Sequence, residues 1–544
     1  MEQIKATFNK SIKELYALDL EVDLVRPDPD FGDFACNIAL QLSKQLNQSP
    51  RQIAEEIVSQ VKHTPVISSV NIAGPGFINI FVEDSVLLDL AIETFVKKNK
   101  QKIVIETKNP NPFKAMHIGH AFNAIVADTV ANLLQASGVE VHRVSYHGDV
   151  GVHVGKSMYS ILKFINGNPK KLNSIAKNER NTFMSRMYAE GALAYKSIQE
   201  AKAKIESLAI QSFTQEDEIF KEVYDECLNW SFEEIDGLVH ELGNRPIEKR
   251  YLESQAEDLG VKTVKEHTGD VFFESEGALV FPGEKYGTFN NVFVGSNGFG
   301  LYGARDLGLM QLKNIDFNPD KSYIVTAEEQ KDYFKGVIKA AELCMPDLAG
   351  VTVNIPTGTV KLTSGKMSSR GGEVVEISWL FNQIKDAIKD QDQSIAKDIA
   401  TAALRYQFLK VRIGSDIVFD INEATNLQGN SGPYLQYAYV RAISIIKKSS
   451  QKPVLPENLD INERRLILKI SENNSVIEKS IKGLAPHILA NYLYELTQEF
   501  NRFYENSQII GEKREPQRLW LLKVYKNNLE QGLKILGLPI LQKM

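Results

Sequence analysis

Hydrophobic and polar positions alternate along the chain in two periods, and the switches between them mark the elements. Ile103-Val104-Ile105 is a β-branched run of core-strand length, residues 121–135 have helical character, Gly138 stops that helix, and residues 139–145 supply a second strand. This order predicts a βαβ unit of parallel sheet with a ligand loop at the carboxyl end of its first strand. Upstream, residues 1–100 predict a small α/β unit: a helical run through Leu42, a helix over 50–61, and a strand over 70–82 interrupted by Gly74-Pro75-Gly76. A charged turn over 97–102 follows, and a domain boundary is expected near Lys100. Residues 156–257 turn helical and charge-rich and are expected to be an insertion. Strand signals return at 271–273, 278–281 and 323–325, the last followed by a helix over 330–343, and are expected to complete the sheet. After Gly371 the pattern is mostly helical: a connector over 371–428 and a final block that opens at Gly429. No internal repeat or low-complexity tract appears.

Length and composition narrow the class. A chain of 544 residues exceeds one hydrophobic core and implies about three domains. With 43% hydrophobic and 24% charged residues, neither disorder nor a membrane span is favoured, and the opening Met1-Glu2-Gln3-Ile4-Lys5 has no apolar leader core, so a cytoplasmic location is expected. Cys36, Cys227 and Cys344 are scattered, odd in number and form no Cys-x-x-Cys, which predicts buried thiols and no structural zinc. The net charge is −6, yet after residue 430 there are 17 Lys and Arg against 11 Asp and Glu. A phosphate-rich partner for the final block is consistent with that imbalance.

Two segments carry candidate chemistry. In Lys114-Ala115-Met116-His117-Ile118-Gly119-His120, the histidines stand three apart where a strand-to-loop connection enters a helix. They share one helix face at the positive end of the dipole, and Gly119 leaves room for a flat base, so a nucleotide phosphate site is expected. About 250 residues later, Ser364-Gly365-Lys366-Met367-Ser368-Ser369-Arg370-Gly371-Gly372 is a cationic loop bracketed by glycines. Lys366 on such a loop suits a leaving pyrophosphate, whose charge grows in the transition state.

Together these segments resemble the HIGH and KMSKS signatures of class I aminoacyl-tRNA synthetases. Residues 104–111, Ala304-Arg305-Asp306-Leu307-Gly308, the stretch 326–334 and Tyr434-Leu435-Gln436-Tyr437 resemble the arginyl-tRNA synthetase family over nearly the whole chain. The resemblance implies an α/β architecture: a Rossmann-like parallel-sheet catalytic domain (101–370), a small N-terminal α/β domain (1–100) contacting the tRNA elbow, and an all-α C-terminal anticodon-binding domain (429–544). It further implies ATP-dependent activation of L-arginine, transfer to tRNA, Mg²⁺ accompanying ATP, no zinc, no membrane and a monomer. Asp306 and Tyr302 are implied for the guanidinium, and Glu106, Asn111 and Gln330 for the side chain and α-amino group. His117, Gly119, His120, Lys366, Met367 and Ser368 are implied for ATP. Where many class I loops have a second lysine this chain has Ser369, and Lys114 is the candidate to supply the missing charge. Phe77 and Asn79 are implied at the tRNA elbow, and Tyr434, Tyr437, Arg441, Arg502 and Tyr504 at the anticodon. His142, His147 and His153 read as structural histidines. Another class I synthetase and an inactive tRNA-binding paralogue are the alternatives.

Overall fold

The computed structural model describes residues 2–28, 31–93, 99–363, 375–388 and 392–544. Contacts divide the chain into two units, one of residues 1–95, 438–478 and 492–531, the other of residues 96–437, 479–491 and 532–544.

The larger unit is built on five parallel strands in the order Thr352–Thr357, Lys321–Ala327, Lys102–Glu106, Glu140–His147, Lys249–Leu252. Ile103, Val104 and Ile105 are at most 2% exposed, as a strand covered on both faces requires. The strand order reverses between Lys102–Glu106 and Lys321–Ala327, and the crevice beyond their carboxyl ends is where such sheets bind ligands. The Ile118–Ala136 helix follows the first strand and buries fourteen of its nineteen residues.

Three expectations are corrected. The strands at Phe273–Ser275 and Ala278–Phe281 do not extend the parallel sheet; with Asn291–Val294 they form a separate antiparallel one. A two-residue turn, Glu276-Gly277, joins the first pair, and so short a link permits only antiparallel pairing. The helical insertion ends before residue 257, because Lys249–Leu252 is the sheet's edge strand. Its Lys249 and Arg250 hide it in a charged stretch, since an edge strand tolerates charge, while Tyr251 is buried. Residues 70–82 are not one interrupted strand. Ile67–Ala73 and Phe77–Val82 pair antiparallel about Gly74 and Gly76, whose φ angles are +53° and +148°, and a Cβ on Gly76 would sit 2.8 Å from the Pro50 carbonyl oxygen.

A buried polar network ties the Ile118–Ala136 helix into this unit. The guanidinium of Arg405, 0% exposed, donates to Asp128 Oδ2 at 3.1 Å, Thr129 Oγ1 at 3.0 Å, Asn244 Oδ1 at 2.7 Å and the carbonyls of Leu242 and Leu536 at 2.9 and 3.0 Å. Asp128 Oδ1 accepts from Arg143 Nε at 3.2 Å.

In the other unit, a three-stranded antiparallel sheet with the helices Glu2–Tyr16, Ile38–Leu46, Pro50–Val61 and Asp84–Ile92 forms the amino-terminal part. Arg464, on the Ile461–Ile470 helix, fastens the helical part to it. Its guanidinium donates to Asp33 Oδ2 at 2.6 Å and the Val82 carbonyl at 3.0 Å, and pairs with Asp84.

Candidate active site

The Lys102–Glu106 strand delivers Glu106 to the carboxyl edge of the sheet, and the chain re-enters helix at His117. His117 is the N-cap: its Nδ1 accepts from the amides of Gly119 and His120 at 3.2 and 3.4 Å, while His120 Nδ1 accepts from the His117 amide at 3.3 Å. The rings stack with centroids 3.6 Å apart. Burial lowers the His117 pKa to about 4 and pushes that of His120 well down, with Lys114 adding to both, so the rings are neutral at pH 7. With both Nδ1 atoms accepting, each ring carries its proton on Nε2. The amides expected to be open to phosphate are therefore already capped here, and an anion would meet imidazole N–H donors. A Cβ on Gly119 would lie 3.1 Å from the His117 ring, so this glycine also makes room for the stack.

A cavity of about 530 Å³ opens at the strand-order reversal. Its lining brings together Glu106, Asn111, His120, Tyr302, Asp306 and Gln330 from four separate stretches of chain. Asp306 is half-buried in the cavity wall, and its carboxylate accepts the Tyr333 hydroxyl at 2.6 Å. Burial raises its pKa to about 7; the nearby Glu106 and Glu253 push the same way, while the Tyr333 hydroxyl and Lys313 oppose. Tyr302 is 67% exposed at the rim. Asn111 Oδ1 accepts the Gly148 amide at 3.1 Å, and a Cβ on Gly148 would approach Glu253 Oε1 to 2.9 Å and Asn111 Oδ1 to 3.0 Å.

Several wall residues carry no local sequence signal. Tyr146 and Glu253 line the cavity beside Glu329 and Tyr333 of the 326–334 stretch, and Lys313, on the same helix as Asp306, donates to Glu106 Oε1 at 2.7 Å. Lys114 lines a separate, smaller cavity with Arg180 and Trp230. Burial lowers its pKa, as does Lys156. Lys366, Met367, Ser368 and Ser369 lie outside the described residues. The chain just beyond is anchored at the histidine motif, where the Ile118 amide donates to the Val375 carbonyl at 2.9 Å and the Ile377 amide to the Met116 carbonyl at 3.1 Å.

The remaining candidates are placed as follows. His147 meets the Pro110 carbonyl at 2.6 Å and Ser145 Oγ at 3.0 Å, His153 the Gly148 carbonyl at 2.7 Å, and His142 the Glu248 carboxylate at 2.7 Å. Each has a protein partner that accounts for its position. Phe77 is 44% exposed beside the hairpin turn, whereas Asn79 is only 8% exposed, so its amide does not present an edge to solvent as the elbow assignment requires. Arg441 Nη1 donates to Asn501 at 3.0 Å with its guanidinium 5.3 Å from the Tyr504 ring centre, and Arg502 pairs with Glu499 at 2.6 Å. Tyr434 is half-buried and Tyr437 exposed on the Gly432–Lys448 helix.

Three family descriptions match the chain in succession: the arginyl tRNA synthetase N-terminal domain over residues 2–82, the class I (R) tRNA synthetase catalytic domain over 84–421, and the DALR anticodon-binding domain over 435–544. The chain belongs to the arginyl-tRNA synthetase family. Among similar curated proteins are the arginine–tRNA ligases of Fusobacterium nucleatum, 28% identical over 98% of this chain and 96% of that one, and of Borrelia hermsii, 28% identical over 100% and 99%. The Thermus thermophilus arginyl-tRNA synthetase structure shares the fold of this family member, with a TM-score of 0.82 at 21% identity over the full length of both chains. Among the described residues, no helix is long and apolar enough to cross a membrane, and no group of three or more His, Cys, Asp or Glu side chains could hold a metal ion.

Proposed function

We propose that the protein is an arginine–tRNA ligase that joins L-arginine to ATP as arginyl-adenylate and then passes arginine to the 3′ end of its cognate tRNA. The observation that carries the amino-acid assignment is Asp306, a half-buried carboxylate in the wall of the cavity that His120 also lines. A guanidinium presents five planar donors and stays charged at all relevant pH, and a half-buried carboxylate with a hydroxyl hydrogen-bonded beside it is a suitable acceptor.

In this reading Asp306 takes the guanidinium and Tyr302 covers it, while Glu106, Asn111 and Gln330 align the rest of the amino acid. The arginine carboxylate attacks the α-phosphorus, and pyrophosphate departs as its charge is met by the Nε2–H groups of His117 and His120, by Lys366 and by Mg²⁺ that enters with ATP. Gly119, Met367 and Ser368 border the nucleotide, and Lys114 supplies the charge absent at Ser369. The domain roles follow the same reading. Residues 1–100 meet the tRNA elbow through Phe77, with Asn79 requiring a local opening to join it, residues 101–370 catalyse, 371–428 connect, and 429–544 meet the anticodon through Tyr434, Tyr437, Arg441, Arg502 and Tyr504. The cytoplasm, where ATP and tRNA are both at hand, is the proposed location, and a monomer the proposed state.

ATP–pyrophosphate exchange and tRNA charging, run with each amino acid and with and without cognate tRNA, test the proposal. Arginine-dependent AMP release with charging of tRNA is expected; its absence, or equal use of lysine, would overturn it. Loss of the charged contact should exclude neutral analogues such as citrulline without any editing site.

A further inference from the structure

Four acids line the cavity: Glu106, Glu253, Asp306 and Glu329. Left uncompensated, they would repel one another and hold a cationic side chain in any of several places. Two are neutralised from within by a single helix, Tyr302–Phe317. Its Arg305 donates to Glu253 at 2.6 Å and lies 3.3 Å from Glu257. Its Lys313 pairs with Glu106 at 2.7 Å, both side chains being 1% exposed. The second oxygen of Glu106 accepts from Asn109 Nδ2 at 2.6 Å, so both of its oxygens are engaged by the protein. Asp306 stands seven residues before Lys313, two turns along the same helix face. One of its oxygens accepts the Tyr333 hydroxyl, and among the described residues no donor reaches the other.

On the arginine reading above, we propose that Lys313 is a positioning residue that fixes where the substrate's side-chain charge sits: by holding Glu106 it leaves Asp306 as the carboxylate that meets the guanidinium. The groups that face Asp306 are Glu106 from the first strand, Tyr146 from the second, Glu253 from the Glu253–Glu266 helix, Tyr333 from the Lys331–Cys344 helix, and Tyr302 and Lys313 from its own. Removing the Lys313 charge alone leaves Glu106 to repel Asp306, and a carboxyl so placed keeps its proton to higher pH. Arginine then has to displace that proton at a pH where the parent site is already ionised.

The test measures the arginine KM and kcat, and the ATP KM, in tRNA charging from pH 5.5 to 8.5 with the full chain. Lys313→Met should move the acid limb of the arginine KM upward by about one pH unit, a roughly fivefold weaker KM at pH 7, with the ATP KM within about twofold of the parent. Lys313→Arg should return the limb to its parent position. Because an unpaired buried Glu106 could unfold the single variant, Glu106→Gln with Lys313→Met removes both charges at similar volume. That double variant should restore the position of the limb, whatever its effect on rate. A limb unmoved in Lys313→Met, or a shift that persists in the double variant, overturns the proposal and leaves Lys313 a filler of the core. If the parent chain charges no arginine at any pH, it is instead the functional reading that fails.

Discussion

Arginine use should depend on pH through Asp306, and the size of the effect follows from the site. Its pKa of about 7 means that without substrate the carboxyl is half protonated at neutral pH. A guanidinium needs the carboxylate, so binding arginine draws the pKa down and releases a proton. Affinity is then fully present above about pH 8 and is lost as pH falls through 7; at pH 6 about one site in eleven is ionised, and the arginine KM should be about tenfold its alkaline plateau. Asp306→Asn keeps the shape and an acceptor for the Tyr333 hydroxyl but removes the charge. A charged hydrogen bond contributes roughly 1.5–3 kcal/mol, so the arginine KM should rise about 10- to 150-fold with the ATP KM little changed, and the acid limb should vanish. Steady-state charging at saturating tRNA, from pH 5.5 to 8.5, reads both effects. An arginine KM flat between pH 6 and 8 in the parent would refute the titration, and an unchanged KM in the variant would remove Asp306 from the substrate.

Arg405→Met should lower stability by about 3–5 kcal/mol, read by denaturant unfolding, because it leaves the fully buried Asp128 short of a counter-charge; a change under about 1 kcal/mol would show that the network relaxes or hydrates freely. Gly148→Ala forces a methyl against Glu253 and Asn111, and the arginine KM should rise with the melting temperature nearly unchanged; an unaltered KM would show that the wall yields. In pyrophosphate exchange with tRNA present, Lys114→Ala should cut kcat at least tenfold and Ser369→Lys should restore it in that background if the two positions share one role; full activity of Lys114→Ala would end the compensation idea.

The sequence made the centre of the fold readable because a β-branched triplet, a capped helix and a terminating glycine all act locally. Its edges were not readable. Lys249 and Arg250 disguise a strand that only the neighbouring Glu140–His147 ladder defines, and Gly74-Pro75-Gly76 looks like an interruption until pairing shows that it reverses the chain. The site divides the same way. Glu106, Asn111, Tyr302, Asp306 and Gln330 came from family motifs, and the structure sets them around one cavity. Tyr146, Glu253 and Lys313 have no motif of their own, since what makes them matter is the charge and burial of partners up to 207 residues away in the chain. The start of the final block read from the sequence, at Gly429, also changes meaning: residues 532–544 belong to the larger unit, so removing everything after 428 strips a carbonyl from Arg405 rather than detaching an independent block.

The Arg405 network also bears on how the chain is made. A ribosome delivers Asp128, Thr129, Asn244 and Arg405 long before Leu536, and between them it must deliver residues 438–478 and 492–531, which fold into the other unit. Until Leu536 emerges, a buried guanidinium lacks one of its five acceptors, and the helix that begins beside His117 is held by an incomplete lattice. The catalytic unit thus closes only after most of its neighbour has been synthesised, a contact spanning 131 residues that makes final closure slow relative to the local βαβ core. A nascent chain arrested anywhere in that interval would hold its nucleotide motif in the βαβ core while the Arg405 network stays one acceptor short, and pulse-labelled chains should gain their last increment of protease resistance at this network only after residue 536 has cleared the exit tunnel.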